Sequence, residues 1–138
     1  MISTEKSRKE IKEMNEIGYI VIAVKTAGGA LPVRDAVVTV RDGGGNILYV
    51  EFTDESGRTP LLRVAAPPKG NSLSPEASEP PFYTYGIDTD KEGFVSVRNL
   101  SVPAYPGITS IQPVTLLPLP EGSKRQEITV NESGSPEL

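Results

Sequence analysis

The chain has 138 residues, with no cysteine and no histidine, and its 18 acidic residues outnumber its 14 basic ones. This length suits one domain and leaves no room for a second of full size. A net charge of −4 without a lysine or arginine cluster excludes the usual electrostatic footprint of a nucleic-acid binder. The commonest general base, the commonest zinc ligands and the most reactive nucleophile are missing, so neither a metal nor a cofactor is predicted.

Glycine and proline, 13 of each, fall between short apolar runs as turn punctuation. This spacing favours many short strands. The start of the chain, residues 1–16, is polar where a secretory signal needs an apolar stretch, and no segment is long enough to span a bilayer. We therefore expect that the protein stays inside the cell or that its signal is missing from this chain.

Residues 4–16 carry strong helix formers, with Ser7 and Glu10 spaced as a capping box, and they predict a short helix or a loose arm over residues 1–17. The period changes at Gly18. From there the sequence GYIVIAVKT alternates β-branched residues and predicts the first core strand. Ile20, Ile22 and Val24 alternate with Val21 and Ala23, and the strand is expected to be buried on at least one face.

Residues 35–42 form the clearest strand pattern, because Ala36, Val38 and Val40 share one face. The glycine-rich segment 42–46 tolerates positive φ, and the segment after it alternates apolar residues again. A β-hairpin is therefore predicted. The alternating residues of its second strand are Leu48, Val50 and Phe52.

Four more strands complete the predicted set. Residues 61–66 alternate Leu62, Val64 and Ala66, and the proline-rich residues 67–81 then form a long loop. Pro113 lacks a ladder donor, so the last strand, within residues 108–119, is expected at an edge or a bulge. The remaining inward positions are predicted at Tyr83, Tyr85, Ile87, Phe94, Val97, Leu100 and Val102.

Seven strands at roughly ten-residue spacing predict an all-β fold, a seven-stranded antiparallel Greek-key sandwich. The sandwich spans residues 18–120. The polar arm 1–17 precedes it, and a flexible tail, 121–138, follows it.

Several segments resemble the carboxypeptidase regulatory-like, or transthyretin-like (prealbumin-like), β-sandwich family. Residues 32–40 look like its "P-x-x-G-A-x-V-x-V" strand, residues 53–58 like its "T-D-x-x-G" turn, and residues 83–94 like its "Y-x-I-x-x-x-x-x-G-F" segment. Two features depart from the family. Asp35 stands where glycine is usual, and the proline-rich loop is an insertion.

The resemblance extends to a version of this module attached to clostridial spore cortex-lytic enzymes, through residues 66–68, 83–85 and 106–112. In such proteins the module resembles an accessory or targeting domain, while a separate domain carries out hydrolysis. The resemblance therefore implies a non-catalytic module, not an enzyme, in a cell-wall or spore-associated system.

Carboxylate pairs at Asp54/Glu55, Asp88/Asp90 and Glu76/Glu79 leave a hydrolase as the weaker alternative, although solvated turn acids explain them more simply. Turn chemistry likewise outweighs calcium binding by Asp42, Asn46 and Asp54. An internal isopeptide bond would need Lys25 and Asn131. Asn131 lies beyond the last predicted strand, so the bond is not expected.

Aromatic residues flank the proline-rich loop and form the best binding hypothesis, because such rings stack on sugars or anchor protein partners. The alternative is that Tyr85 and one other tyrosine fill the core. Peptidoglycan, another carbohydrate or a protein is the expected partner, with no nucleic acid, and the oligomeric state stays open. A structural or adhesive surface domain of the same sandwich class is the rival function. The candidate binding residues are Phe82, Tyr83, Tyr85 and Tyr105.

Overall fold

The computed structural model describes residues 15–68, 82–123 and 126–132, and nearly all of its regular structure is β-strand. The predicted N-terminal helix lies outside these residues as far as residue 14, and Glu16 and Ile17, which were expected in the polar arm, belong to the first strand. The predicted loop 67–81 lies outside them from residue 69 onward. Among the described residues, no helix has the length and apolar character needed to cross a membrane. The strands are β1 Glu16–Thr26, β2 Leu31–Pro32, β3 Val37–Arg41, β4 Ile47–Phe52, β5 Leu62–Ala66, β6 Tyr83–Asp90, β7 Ser96–Ala104, β8 Thr109–Thr115 and β9 Glu127–Asn131.

These strands form two sheets. In the first, β1 pairs along one edge with β2 and β5 and along the other with β8. The second sheet has the order β4-β3-β6-β7-β9. The all-β sandwich is confirmed, but the described residues hold nine strands rather than seven, and β1–β8 and β7–β9 are parallel. The transthyretin-like detail of the topology remains a prediction.

The core lies between the two sheets and consists mainly of β-branched residues. Ile20, Ile22 and Val24 of β1 are fully buried, as the period-2 pattern predicts. Val38 and Val40 of β3 are buried in the same cluster. Each such side chain stabilises the fold by about 1.5–3 kcal/mol relative to leaving it in water. The inward positions predicted on β5 are also confirmed.

A bulge sets the start of β3. Asp35 has φ of +60°, and its N–H donates to the Thr53 carbonyl while the Thr53 N–H donates to Ala36. Asp35 and Ala36 thus both lie opposite Thr53, and Asp35, the first of the two, is in the left-handed region that favours glycine. This geometry explains why the family pattern that residues 32–40 resemble has glycine at this position.

Two threonine hydroxyls replace backbone partners where the loops meet the strands. The buried Thr53 hydroxyl accepts from the Ala36 N–H at 2.9 Å and donates to the Val33 carbonyl at 2.6 Å. Thr59 accepts from the Ile22 N–H of β1 at 3.0 Å. These bonds satisfy buried donors that the sheet ladders leave unpaired.

The predicted hairpin of β3 and β4 is confirmed, but the apolar stripe of β4 faces outward. Leu48, Val50 and Phe52 expose 41%, 54% and 60% of their surface, whereas Tyr49 packs against the core. Period 2 shows which residues share a face. It does not show which face is buried: the uniformly apolar face of this strand is exposed, whereas Tyr49 and Glu51 on the opposite face are half-buried.

A second bulge overturns one predicted core position on β7. Leu100 was expected to point inward, yet it is 38% exposed. Tyr85 pairs with Val102 and Ile87 with Asn99, so β7 carries one extra residue there, and Ser101 adopts φ of +60°. The extra residue shifts the alternation.

Two outcomes concern the end of the chain. Pro113 lies on β8, which is an edge strand of the first sheet, as its missing N–H predicts. Beyond residue 120, where a flexible tail was expected, Glu127–Asn131 form β9 and pair with β7. Such a short polar segment gives little sequence signal, because its pairing is set by the neighbouring strand.

Candidate functional site

A groove of about 420 Å³ lies where the β3–β4 turn meets the start of β6. Strand β6 runs antiparallel to β3, with Arg41 opposite Gly86. This register brings the turn that follows β3 beside the first residues of β6. The groove is lined by Asp42, Gly43, Gly44, Phe82, Tyr83, Thr84 and Tyr85.

The turn that forms one wall is fixed by a single side chain. The Asp42 carboxylate accepts hydrogen bonds from the backbone N–H groups of Gly44 and Asn46, both at 2.9 Å, and from the Asn46 side-chain amide. These bonds favour the charged form and hold the pKa of Asp42 below its usual value. These hydrogen bonds fix the conformation of the glycine-rich turn, whose backbone forms one side of the groove.

Aromatic rings form the opposite side. The rings of Phe82 and Tyr105 are in contact, with centroids 5.4 Å apart and planes tilted by 55°. The Tyr105 backbone passes close to Gly18, since a Cβ at Gly18 would lie 2.8 Å from the Tyr105 carbonyl oxygen. Phe82 and Tyr105 are both half-buried.

The two tyrosines of β6 have different surroundings. Tyr83 is half-buried, packs against the core and donates its hydroxyl hydrogen to Asn15 Oδ1 at 3.0 Å. Tyr85 is buried in the core and donates to the Ala65 carbonyl at 2.5 Å. Burial raises the pKa of Tyr85 to about 12, with further contributions from the charges of Tyr83 and Asp42. The core role considered for Tyr85 is the one observed.

Three of the four residues proposed from the sequence, Phe82, Tyr83 and Tyr85, line this groove. The fourth, Tyr105, does not line it, but its ring contacts the ring of Phe82. Their role in binding stays a prediction. Sequence reasoning missed the turn residues, although the hairpin pattern carried the signal: once β3 and β6 are neighbours, the turn after β3 must lie next to Thr84.

A second groove, of about 590 Å³, adjoins the first and shares Asp42, Gly43, Thr84 and Tyr85 with it. Its floor is an ion cluster in which Asp88 accepts from Arg41 Nε at 3.1 Å and from Arg98 Nε at 2.8 Å. Hydrogen bonding and charge from Asp88 raise the pKa of Arg98. Apolar rings and charged groups therefore lie along one continuous depression.

The alternative sites weighed from the sequence are not assembled by the fold. Asp42 and Asp54 lie at opposite ends of β4, and no group of three or more acidic residues within the described ranges is placed to hold a metal. Lys25 and Asn131 lie on strands of different sheets. Glu76 and Glu79 fall outside the described residues.

Two of the remaining carboxylates, those of Asp54 and Asp90, accept hydrogen bonds from nearby side chains. Asp54 accepts from the Ser56 hydroxyl and from the backbone N–H groups of Ser56 and Arg58, which lower its pKa. Asp90 accepts from the Ser96 hydroxyl at 2.8 Å. A carboxylate with a lowered pKa is unsuited to act as a general acid at neutral pH.

Fold and groove together define an all-β sandwich with a ligand-sized depression at one end. No family model matches the sequence, and no curated protein matches it either, so the carboxypeptidase regulatory-like family is not confirmed. Catechol 1,2-dioxygenase from Acinetobacter sp. ADP1 has a similar structure, with a TM-score of 0.53 at 12% identity over 83% of this chain and 59% of that one.

Two further structures are less similar. The 3-chlorocatechol 1,2-dioxygenase of Rhodococcus opacus 1CP gives a TM-score of 0.48 at 16% identity over 75% of this chain and 60% of the enzyme. The major pilin subunit of Bacillus cereus gives 0.45 at 12% identity over 73% and 29%. The chain thus spans about three fifths of the dioxygenase chains, and such identities show the fold alone.

These neighbours correct one prediction. The chain was expected not to be an enzyme because of its β-sandwich class. That expectation was wrong, because a similar sandwich occurs in catechol 1,2-dioxygenase. The absence of histidine and cysteine excludes particular catalytic groups. It does not separate this fold from the enzymes that share it.

Proposed function

We propose that the chain is a binding module that holds a cell-wall glycan such as peptidoglycan at the groove between the β3–β4 turn and Phe82. One observation carries this proposal: aromatic rings form one side of the groove and the backbone of a rigid turn forms the other. Sugar rings present apolar faces and polar edges, and this combination matches both. The spore and cell-wall association follows from the resemblance to accessory modules of cortex-lytic enzymes.

The test is retention of the purified protein on insoluble peptidoglycan at two salt concentrations. Phe82→Ala removes one ring and its contact with Tyr105. We expect this variant to bind about tenfold more weakly, which is the upper end of the contribution of a single aromatic contact, and its bound fraction should fall accordingly. Ile111→Ala is the control, because it removes an exposed apolar side chain from β8, outside the groove and away from β4.

The outcomes are distinct. Loss of retention in Phe82→Ala with retention in Ile111→Ala supports the groove. A wild-type protein that is not retained at either salt concentration, or a Phe82→Ala variant retained as well as wild type, contradicts the proposal. Circular dichroism of both variants checks that the sandwich is intact.

A further inference from the structure

Strand β4 forms an open edge of the five-stranded sheet. Within the described part of the chain it pairs with β3 alone. The Thr53 N–H donates to the Ala36 carbonyl, so the alternation of an antiparallel ladder directs the peptide groups of Glu51 and Tyr49 toward β3 as well. The N–H and C=O groups of Val50 and Phe52 therefore face away from the sheet.

The side chains that flank these free peptide groups are apolar. Leu48, Val50 and Phe52 form a stripe on the outer face, each more than two fifths exposed. Edge strands usually avoid pairing by carrying charge or proline. Of the other edges, β8 carries Pro113 and β9 carries Glu127, whereas β4 has no proline and its one charged residue, Glu51, lies on the face opposite the apolar stripe.

We propose that a second copy of this chain pairs with this edge, β4 against β4 in antiparallel orientation, to form one continuous sheet across both molecules. This inference goes beyond glycan binding and is independent of it. An extended strand is the partner that satisfies a row of free N–H and C=O groups. A homodimer needs, in addition, a strand that is complementary to itself.

The sequence of β4 has that property. With the two-fold axis at Val50, the peptide groups of the two Val50 residues pair with each other, and Phe52 lies opposite Leu48 of the second copy. All three stripe positions then meet apolar partners. Glu51, the strand's one charged residue, lies opposite Tyr49. Shifting the axis to Glu51 would instead place two carboxylates face to face, which destabilises a strand pair.

The experiment measures the mass of the full chain in solution by light scattering over a concentration series. We expect the mass to rise from the 14.8 kDa of one chain toward twice that value. Val50→Lys and Val50→Glu each place like charges at the axis, so each variant should stay at the mass of one chain. A mixture of the two should regain the dimer, because lysine then faces glutamate.

Two more variants complete the design. Val50→Pro removes only an N–H that faces the open edge, so the monomer should fold while the dimer is lost. Ile111→Lys is the control, since Ile111 is equally exposed on β8 of the other sheet. A wild type that stays monomeric, a Val50→Lys variant that stays dimeric, or a mixture that fails to pair overturns the proposal. A monomeric wild type would instead favour an extended peptide from another protein.

Discussion

At the scale of single residues, Asp35 is held in a conformation that suits glycine better. Its φ of +60° is sparsely populated by residues with a Cβ, and the bulge leaves no alternative. We expect Asp35→Gly to raise the free energy of unfolding by about 0.5–1 kcal/mol, and Asp35→Val to lower it by about 1–2 kcal/mol. Urea denaturation measures both. An Asp35→Gly variant no more stable than wild type would show that the carboxylate compensates for the strain.

The hydroxyl of Tyr85 should make the fold sensitive to alkali. Its pKa is about 12 in the folded chain, against about 10 in the unfolded chain. Its contribution to stability is therefore fully present below pH 10 and is lost as the pH rises from about 10 to about 12. Between these values the unfolded chain releases this proton first.

Titration of tyrosine absorbance checks this prediction. At about pH 11 the folded wild type should keep one tyrosine un-ionised, and the Tyr85→Phe variant should lack that tyrosine. Between about pH 10 and about pH 12, the free energy of unfolding should fall less in this variant than in wild type. Tyr19→Phe, on the outer face of β1, is the control. If Tyr85→Phe removes a group that ionises near pH 10 instead, the hydroxyl is exposed to water.

At the scale of elements, the turn between β4 and β5 is locked onto β1. The Gly57 carbonyl accepts from the Val24 N–H at 2.7 Å, and a Cβ on Gly57 would collide with the Val24 carbonyl. Gly45, in the β3–β4 turn, also has positive φ, but the space around it is open. Alanine substitution at Gly45 therefore measures the cost of the left-handed conformation alone, and alanine substitution at Gly57 adds the cost of the steric clash.

We expect Gly45→Ala to lower the free energy of unfolding by about 1 kcal/mol, the cost of the left-handed conformation alone. Gly57→Ala should cost about 3 kcal/mol or more, because part of the turn must also move. Thermal and urea unfolding of the pair give both values. Equal losses would mean that the 54–57 turn shifts without disturbing β1.

The sequence predicted the strands whose pattern is unambiguous. In β1 and β3, alternation identified the residues that share a face, and that face is the buried one. In β4, alternation identified the apolar stripe equally well, but the stripe is exposed, because the choice of face depends on how the hairpin lies on the other sheet. Strand β9 has only two apolar residues, and its existence depends on pairing with β7.

The candidate site was predicted to a similar degree. The aromatic residues were visible because they adjoin a proline-rich stretch, and Phe82 and Tyr105 do come into contact. Their assignment to one groove with Asp42 needed the β3–β6 pairing, which joins residues that are 45 positions apart at Arg41 and Gly86 and 53 apart at Val37 and Asp90. Strand pairing at that distance depends on the whole arrangement of the sheets, and local patterns do not encode it.

At the scale of the whole molecule, the groove and the β4 edge are separate surfaces whose effects should combine. A dimer would carry two grooves, and a second attachment to the same insoluble polymer is an intramolecular event with a high effective concentration. Val50→Lys should therefore weaken retention on peptidoglycan by about tenfold or more, while leaving the affinity for a short soluble glycan fragment unchanged. Calorimetry with the fragment and sedimentation with the polymer measure the two quantities. A parallel loss in both assays would mean that Val50 acts on the groove itself, and no loss in either would mean that the two grooves of a dimer cannot reach one polymer together.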